Sequence, residues 1–131
     1  MINTGVYSYV DVLGKAADAS WLRNEVINNN IANNDTPGYK RKEVSFDNIL
    51  TTELKSVHSS LQDLDKTVSN VNLNRLEGRV YTDSVAYSYR IDGNNVDIDT
   101  ENVELASNEI KYNGLISSIE AEFERLKAVI K

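Results

Sequence analysis

The sequence predicts a mainly α-helical fold in which long amphipathic helices at the two chain ends form a coiled-coil-like bundle around a small, irregular middle. Two observations indicate the end helices, since apolar and small side chains recur at steps of three or four in residues 9–33 and again in residues 99–131. A third observation concerns residues 36–98, whose short patterned runs predict a turn, a short helix, a loop and a β-hairpin. The 131 residues are treated as one domain with segments 1–35, 36–98 and 99–131.

The first helix presents a stripe of apolar and small residues that suits close packing. Small side chains let a neighbouring helix approach closely, although their burial alone stabilises little. We expect this stripe to pack against another helix, because apolar stripes hold cofactors much less often than they form packing surfaces. The stripe consists of Leu13, Ala16, Ser20, Ile27 and Ile31.

A dense group of helix-ending and turn-forming residues follows the first helix. Asn33 can adopt a helix-closing conformation, and Pro37 cannot donate the next backbone hydrogen bond. Pro37 and Gly38 fit the central positions of a type II turn, because proline fixes the first φ angle and glycine tolerates a positive second one. The basic run at residues 40–42 either contacts an acidic neighbour or lies in solvent, and the sequence favours solvent.

The middle segment is predicted to contain one short helix and one β-hairpin. Apolar residues indicate weak helical potential over residues 43–62, whereas residues 63–76 show no consistent period and are expected to be a loop or a frayed helix. Alternating apolar and polar residues predict one or two strands over residues 79–91. A turn at residues 92–95 would then let residues 96–98 pair back. Because an isolated hairpin is marginal in water, it must lie on a helix or on another subunit.

The last helix is expected to begin near Asp99 or Thr100, where a capping side chain precedes acidic residues that favour the helix dipole. Its apolar residues predict a coiled-coil-like packing seam. The phase of the seam shifts near Gly114, which weakens the helix by about 1 kcal/mol relative to alanine, so we expect a kink or a close contact there. The seam consists of Val103, Ala106, Ile110, Ile116, Ile119, Phe123, Leu126 and Ile130.

Two motifs at opposite ends of the chain resemble those of one protein family. The spacing N-x-A-N-x-x-T-x-G-Y resembles the signature of the axial proteins of the bacterial flagellum, and it is formed by Asn30, Ala32, Asn33, Thr36, Pro37, Gly38 and Tyr39. A second motif resembles the carboxy-terminal half of the proximal rod proteins in that family, and it is formed by Asp92, Gly93, Asn94, Asn95, Val96 and Asp97. The short length of the chain also fits a proximal rod protein, because hook and distal-rod relatives carry large inserted domains between the same two end segments.

The resemblance implies a structural subunit of the proximal rod of the flagellar basal body, which stacks its terminal helices against those of neighbouring subunits and transmits torque. The implied partners are further copies of the chain, other rod proteins, the basal-body adaptor protein FliE and the flagellar type III export apparatus. The implied location is outside the cytoplasmic membrane, reached without a cleaved signal peptide. Periodicity itself shows only two apolar faces of compatible length, so a small helical adaptor that does not polymerise remains the alternative.

Composition argues against other classes of protein. A net charge of -6 disfavours nucleic-acid binding, and no apolar run is long enough to cross a bilayer. The first residues lack the basic start and apolar core of a secretory signal peptide. With His58 as the single histidine and no cysteine, we expect no catalytic, cofactor or metal site, and an acidic hydrolase is a distant third interpretation. An EF-hand-like calcium loop starting at Asp92 fails, because Val96, Asp97 and Val103 occupy three of its required positions.

Overall fold

The computed structural model describes residues 7–57, 64–83 and 90–130. The helices are α1 (Ser8–Ala32), α2 (Asp47–Val57), α3 (Leu64–Ser69) and α4 (Ile98–Ile130), with a short 3-10 helix at Leu73–Arg75. Strands β1 (Lys42–Ser45) and β2 (Arg79–Thr82) form an antiparallel pair in which Val44 lies opposite Val80. The predicted mainly helical fold, with long end helices and a small sheet between them, is confirmed.

Helices α1 and α4 run antiparallel, and the buried residues that the structure describes on α4, Glu101 and Asn108, are polar. Asn30 near the end of α1 donates to Glu101 in the first turn of α4 (3.1 Å), and Asn108 further along α4 donates to the carbonyl oxygen of Ser20 (2.8 Å). All four residues are buried. Directional hydrogen bonds between buried polar groups therefore help to set the register of the two long helices.

The apolar core lies instead between α1 and the middle segment. Its buried members are Ala19, Phe46, Val71 and Leu76, surrounded by half-buried apolar side chains of α1 and α2. The chain enters β2 very close to this core, because a Cβ atom at Gly78 would lie 3.1 Å from Val44 Cγ1 and 3.2 Å from Leu22 Cδ2. A larger residue at this position would therefore require the neighbouring side chains to shift by a few tenths of an ångström.

The structure decides between alternatives for two parts of the middle segment and corrects a third prediction. The short helix within residues 43–62 begins at Asp47, and residues 43–45 before it belong to β1. Residues 64–69, expected to be a loop or a frayed helix, form α3. The partner of β2 is β1, not residues 96–98, because the Val96 N–H donates to Asn94 Oδ1 (2.8 Å) and Asp97 caps a helix. His58, the end of the predicted helix range 43–62 and residues 84–89 of the predicted strand region lie outside the described residues.

Helix α4 begins slightly earlier than expected, because its cap is Asp97. The carboxylate accepts hydrogen bonds from the Asp99 N–H (3.1 Å) and from the Thr100 hydroxyl (3.0 Å), and the Thr100 hydroxyl bond is the main cause that lowers the pKa of Asp97. The helix then continues through Gly114, where an added Cβ atom would meet nothing within 4 Å. The close contact expected at this glycine is therefore not made by the described residues.

Candidate functional site

The predicted turn after α1 is present and redirects the chain alongside that helix. The carbonyl oxygen of Thr36 accepts a hydrogen bond from the Tyr39 N–H (3.2 Å), which places Pro37 and Gly38 at the two central positions. Gly38 has a φ angle of 73°, the positive value that the second central position of a type II turn requires. The chain then continues into β1, whose first residue contacts Asn30 on α1.

The side chain of Asn94, in the second motif, binds the residues that follow α1. Its Nδ2 group donates to the carbonyl oxygens of Asn33 (2.8 Å), Asn34 (3.0 Å) and Thr36 (2.8 Å), and the residue is fully buried. Two of these carbonyl groups also accept a backbone N–H group of the turn. Asn94 therefore fixes the conformation of the turn from a position about 60 residues away in the sequence.

The backbones of the two motifs also lie side by side. The Gly38 N–H donates to the carbonyl oxygen of Asp92 (2.7 Å), and the Asn95 N–H donates to that of Tyr39 (3.3 Å). A Cβ atom at Gly93, whose φ angle is 77°, would lie only 3.8 Å from Gly38 Cα. We call this set of contacts between residues 30–41 and 92–101 the clasp.

Asn30 is the polar centre of the clasp. Its Nδ2 group donates to the carbonyl oxygen of Lys42 (2.8 Å) and to Glu101 Oε2 (3.1 Å). Its Oδ1 atom accepts from the Lys42 N–H (2.9 Å) and from the Tyr39 hydroxyl (3.1 Å). The fully buried amide thus uses two donor and two acceptor positions at once, and in doing so it connects α1, β1 and α4.

Arg41 adds a group of charges to the clasp. Its Nε donates to Glu101 Oε1 (2.7 Å), and its Nη1 donates to Asp83 Oδ2 (3.0 Å) and to the Glu43 carboxylate. Burial alone would lower the pKa of Arg41, but the bonds to Glu43, Glu101 and Asp83 raise it. Burial, and then the negative charge of Glu101, raise the pKa of Tyr39. Within the basic run, Arg41 therefore pairs with acidic side chains of its own chain, whereas Lys40 and Lys42 are exposed.

Glu43 connects the ion pairs of Arg41 to the sheet. The Tyr81 hydroxyl on β2 donates to this carboxylate, directly across the strand pair. That hydrogen bond is the largest cause that lowers the pKa of Glu43, and Arg41 lowers it further against the opposing effect of burial. The same bond raises the pKa of Tyr81. The sheet, the turn and the start of α4 are thus connected by one set of charged contacts.

The structure brings the two sequence motifs together. From the first motif, Asn30, Asn33, Thr36, Gly38 and Tyr39 take part in hydrogen bonds of the clasp, Pro37 shapes the turn, and Ala32 is exposed. All of residues 92–97 contribute a bond, a turn or a buried side chain. Sequence analysis did not predict that the motifs touch, nor that Arg41 and Glu101 join them. The only signal for that pair was opposite charge near the end of one helix and the start of another.

The predicted packing residues divide among several environments. On α1, Ser20 and Ile27 are buried, and Leu13, Ala16 and Ile31 are half-buried. On α4, the half-buried residues are Ile116, Ile119 and Leu126, and the exposed residues are Val103, Ala106, Ile110, Phe123 and Ile130. Val103 and Ile110 each follow a buried residue by two positions, which is about 200° around a helix. The predicted seam of α4 therefore spans two faces, and its packing against another subunit stays a prediction.

Two properties of the described residues bear on metal and membrane binding. No group of three or more histidine, cysteine, aspartate or glutamate side chains in residues 7–57, 64–83 and 90–130 is placed to hold a metal ion. In the same ranges, no helix combines the length and the apolar character needed to span a membrane. The acidic residues considered for calcium serve the turn and the helix cap, since Asp92 accepts from the Asn94 N–H (3.1 Å) and Asp97 caps α4.

Comparison with known proteins agrees with the two motifs. A family profile described as flagella basal body rod protein matches residues 12–40. The flagellar basal body rod protein FlgB of Bacillus subtilis (strain 168) is 37% identical over 121 residues, covering 90% of this chain and 89% of the relative. The FlgB protein of Borrelia hermsii is 36% identical over 130 residues, covering 93% and 95%, and that of Escherichia coli (strain K12) is 30% identical over 118 residues, covering 83% of each. The chain therefore belongs to the FlgB family of flagellar basal body rod proteins, the structural subunits of the rod.

Proposed function

We propose that the chain assembles with neighbouring rod subunits, including further copies of itself, through the outer face of α4. We define the outer face as Val103, Ala106 and Ile110. All three are exposed in the single chain, Val103 at 68% and Ile110 at 75%, and they recur at helical spacing. Apolar side chains in such a stripe are typical of a helix that packs against another protein.

The two sides of α4 present different kinds of side chain, which suit different roles. The side that faces α1 includes two buried polar residues, Glu101 and Asn108, which orient the helices through directional hydrogen bonds. The outer face offers apolar area, and full burial of one valine or isoleucine stabilises an association by about 1.5–3 kcal/mol. We propose that the clasp sets the angle of α4 and that the outer face provides the free energy of assembly.

More specific partners follow from a role as a rod subunit. As a rod subunit the chain assembles with other basal-body components, and we propose the adaptor protein FliE at the rod base and the flagellar type III export apparatus among its contacts. Transmission of torque from motor to hook would be the mechanical result of the helical stack. We propose no catalytic role.

Replacement of Ile110 by aspartate tests the outer face. Because Ile110 is 75% exposed, the free energy of unfolding of the isolated chain should change by less than about 1 kcal/mol. Burying an unpaired carboxylate in an interface costs several kcal/mol, so incorporation into the rod and swimming should be lost in cells that lack the parental subunit. Export is measured separately, since a subunit that is retained inside the cell reports on secretion rather than on packing.

The matched control places the same charge outside the outer face. Ser118 is an exposed residue of α4 whose hydroxyl donates to the carbonyl oxygen of Gly114 in the same helix, and Ser118→Asp should be exported, incorporated and motile. Normal swimming by the Ile110→Asp variant would contradict the proposal. It would favour a non-polymerising adaptor, which sedimentation of the purified parent protein would then show as a monomer at all concentrations.

A further inference from the structure

The two outer edges of the small sheet differ in how their backbone groups are paired. On β1, the Asn30 side chain donates to the carbonyl oxygen of Lys42 (2.8 Å) and accepts from its N–H (2.9 Å), so it takes the place of a third strand. Arg23 donates to the next outward carbonyl oxygen, that of Val44 (3.3 Å). The outer edge of β1 is therefore closed by side chains of α1.

The outer edge of β2 lacks such a partner among the residues that the structure describes. Backbone groups of an antiparallel strand point alternately to its two sides, and the Asp83 N–H points to β1, where it donates to the carbonyl oxygen of Arg41 (2.9 Å). The backbone groups of Val80 and Thr82 therefore point away from β1, and no described residue bonds to them. All four residues of β2 are exposed, with Val80 at 46% and Tyr81 at 47%.

Little in β2 protects this edge from another strand. Edge strands are commonly shielded by proline, by a bulge or by charged side chains. The strand has no proline, pairs with β1 in an unbroken register, and carries its single charged residue, Arg79, at its first position. Its valine, tyrosine and threonine favour extended structure. Main-chain pairing with a further strand is therefore the kind of contact that this edge suits.

The residues of this edge complement those of a second copy. With Tyr81 on a two-fold axis, Val80 of each copy lies opposite Thr82 of the other, so the outward backbone groups pair. Arg79 then lies opposite Asp83 in both halves, and the two tyrosine rings are neighbours. Opposite charges and aromatic rings at directly opposed positions each stabilise a strand pair. A shift of the register by two residues would separate Arg79 from Asp83, so this register is the favoured one.

The charges at the end of the strand also favour this pairing. On each copy, three carboxylates share the guanidinium group of Arg41, and Asp83 carries one of them. Arg79 is exposed and forms no ion pair with any described residue. A second copy would thus bring an unused cation to a site at which one cation serves three carboxylates.

We propose that two free subunits of this chain associate through the outer edges of their β2 strands. The resulting dimer has one continuous antiparallel sheet, with Tyr81 of both copies at its centre. A two-fold contact is closed and cannot be repeated along a helical stack, so the dimer is a state of subunits outside the rod. An edge of four residues belongs to the small class of interfaces, below about 1,200 Å² of buried surface, so we expect a weak association.

Sedimentation equilibrium of the full-length Ile110→Asp protein measures this contact without a contribution from the outer face of α4. Between about 10 µM and about 1 mM, the range of weak complexes, we expect a monomer–dimer equilibrium without larger species. Adding Arg79→Asp would place two acidic residues opposite each other, so it should weaken the dimer by about 10-fold or more. The control is Lys55→Asp, the same change of charge at an exposed position of α2, which should leave the dimer unchanged.

A monomer at every concentration, or equal effects of Arg79→Asp and Lys55→Asp, would overturn the proposal. Either result would leave the proposed assembly through α4 unaffected, because the outer face is already removed in this protein.

Single cysteines test the register, because the chain contains no cysteine of its own. Opposed residues that do not exchange hydrogen bonds have Cα atoms about 4.5 Å apart, within the range that a disulfide spans, so Tyr81→Cys should oxidise to a covalent dimer. In Thr82→Cys the two thiols would belong to Cα atoms more than about 7 Å apart, so this variant should stay without a disulfide although its position is equally exposed. Equal cross-linking of the two variants, or none in either, would refute the two-fold register.

Discussion

Replacement of Asn94 by alanine should lower the free energy of unfolding more than the loss of one small side chain would suggest. The substitution removes two N–H groups that serve three carbonyl oxygens at the end of α1, and it removes the acceptor of the Val96 N–H. At about 1 kcal/mol for each of these three hydrogen-bonding groups, the free energy of unfolding should fall by about 3 kcal/mol. Asn94→Asp keeps the shape but replaces the donors with a carboxylate that faces carbonyl oxygens, so it should be at least as destabilising.

Urea unfolding followed by Trp21 emission and by far-ultraviolet circular dichroism measures this loss. With a slope of about 1.5 kcal/mol per molar urea, the midpoint should move by about 2 M. The control is Asn102→Ala, an equal change at an exposed position of α4, which should stay within about 0.7 kcal/mol of the parent protein. If the Asn94 and Asn102 variants unfolded at the same urea concentration, the clasp would not be what joins the two motifs.

Two further predictions concern the turn and the acidic pH range. Gly38→Val should lower the free energy of unfolding by about 1–2 kcal/mol, because a side chain is strained at a φ angle of 73°, whereas Lys40→Ala at an exposed position should change it by less than about 0.5 kcal/mol. Similar free energies of unfolding for the two variants would argue against the type II turn. Because the folded pKa of Glu43 lies below its usual 4.5, its contribution to stability is complete above that pH and is lost as the pH falls through the lower folded pKa. Unfolding free energies measured between about pH 5 and about pH 3 should therefore fall more steeply for the parent protein than for Glu43→Gln, and parallel curves would contradict this role.

Local signals predicted the long helices and the turn, because helical periodicity and the preferences of Pro37 and Gly38 act over a few residues. The strand pairing escaped prediction, since β1 has four residues and only Val44 among them is buried. The seam of α4 was predicted as one line of apolar residues, yet the structure buries Glu101 and Asn108 and exposes Val103. Which side of α4 is buried depends on the groups that α1 presents. The spacing of apolar residues within α4 alone does not contain that information.

The distance along the chain between Asn94 and the residues it binds has a consequence for the order in which the contacts form. Synthesis proceeds from the amino end, so α1 is complete long before residue 94 of the 131 has been added. During that interval the carbonyl oxygens of the residues just after α1 lack the side-chain donors of Asn94, and Asn30 lacks the Glu101 carboxylate that accepts one of its two N–H donors. Contacts that join distant segments form late, because the chain between them must first be ordered. The apolar core of Ala19, Phe46, Val71 and Leu76 lies entirely before residue 92, so we expect it to form first and the clasp to close as a later step.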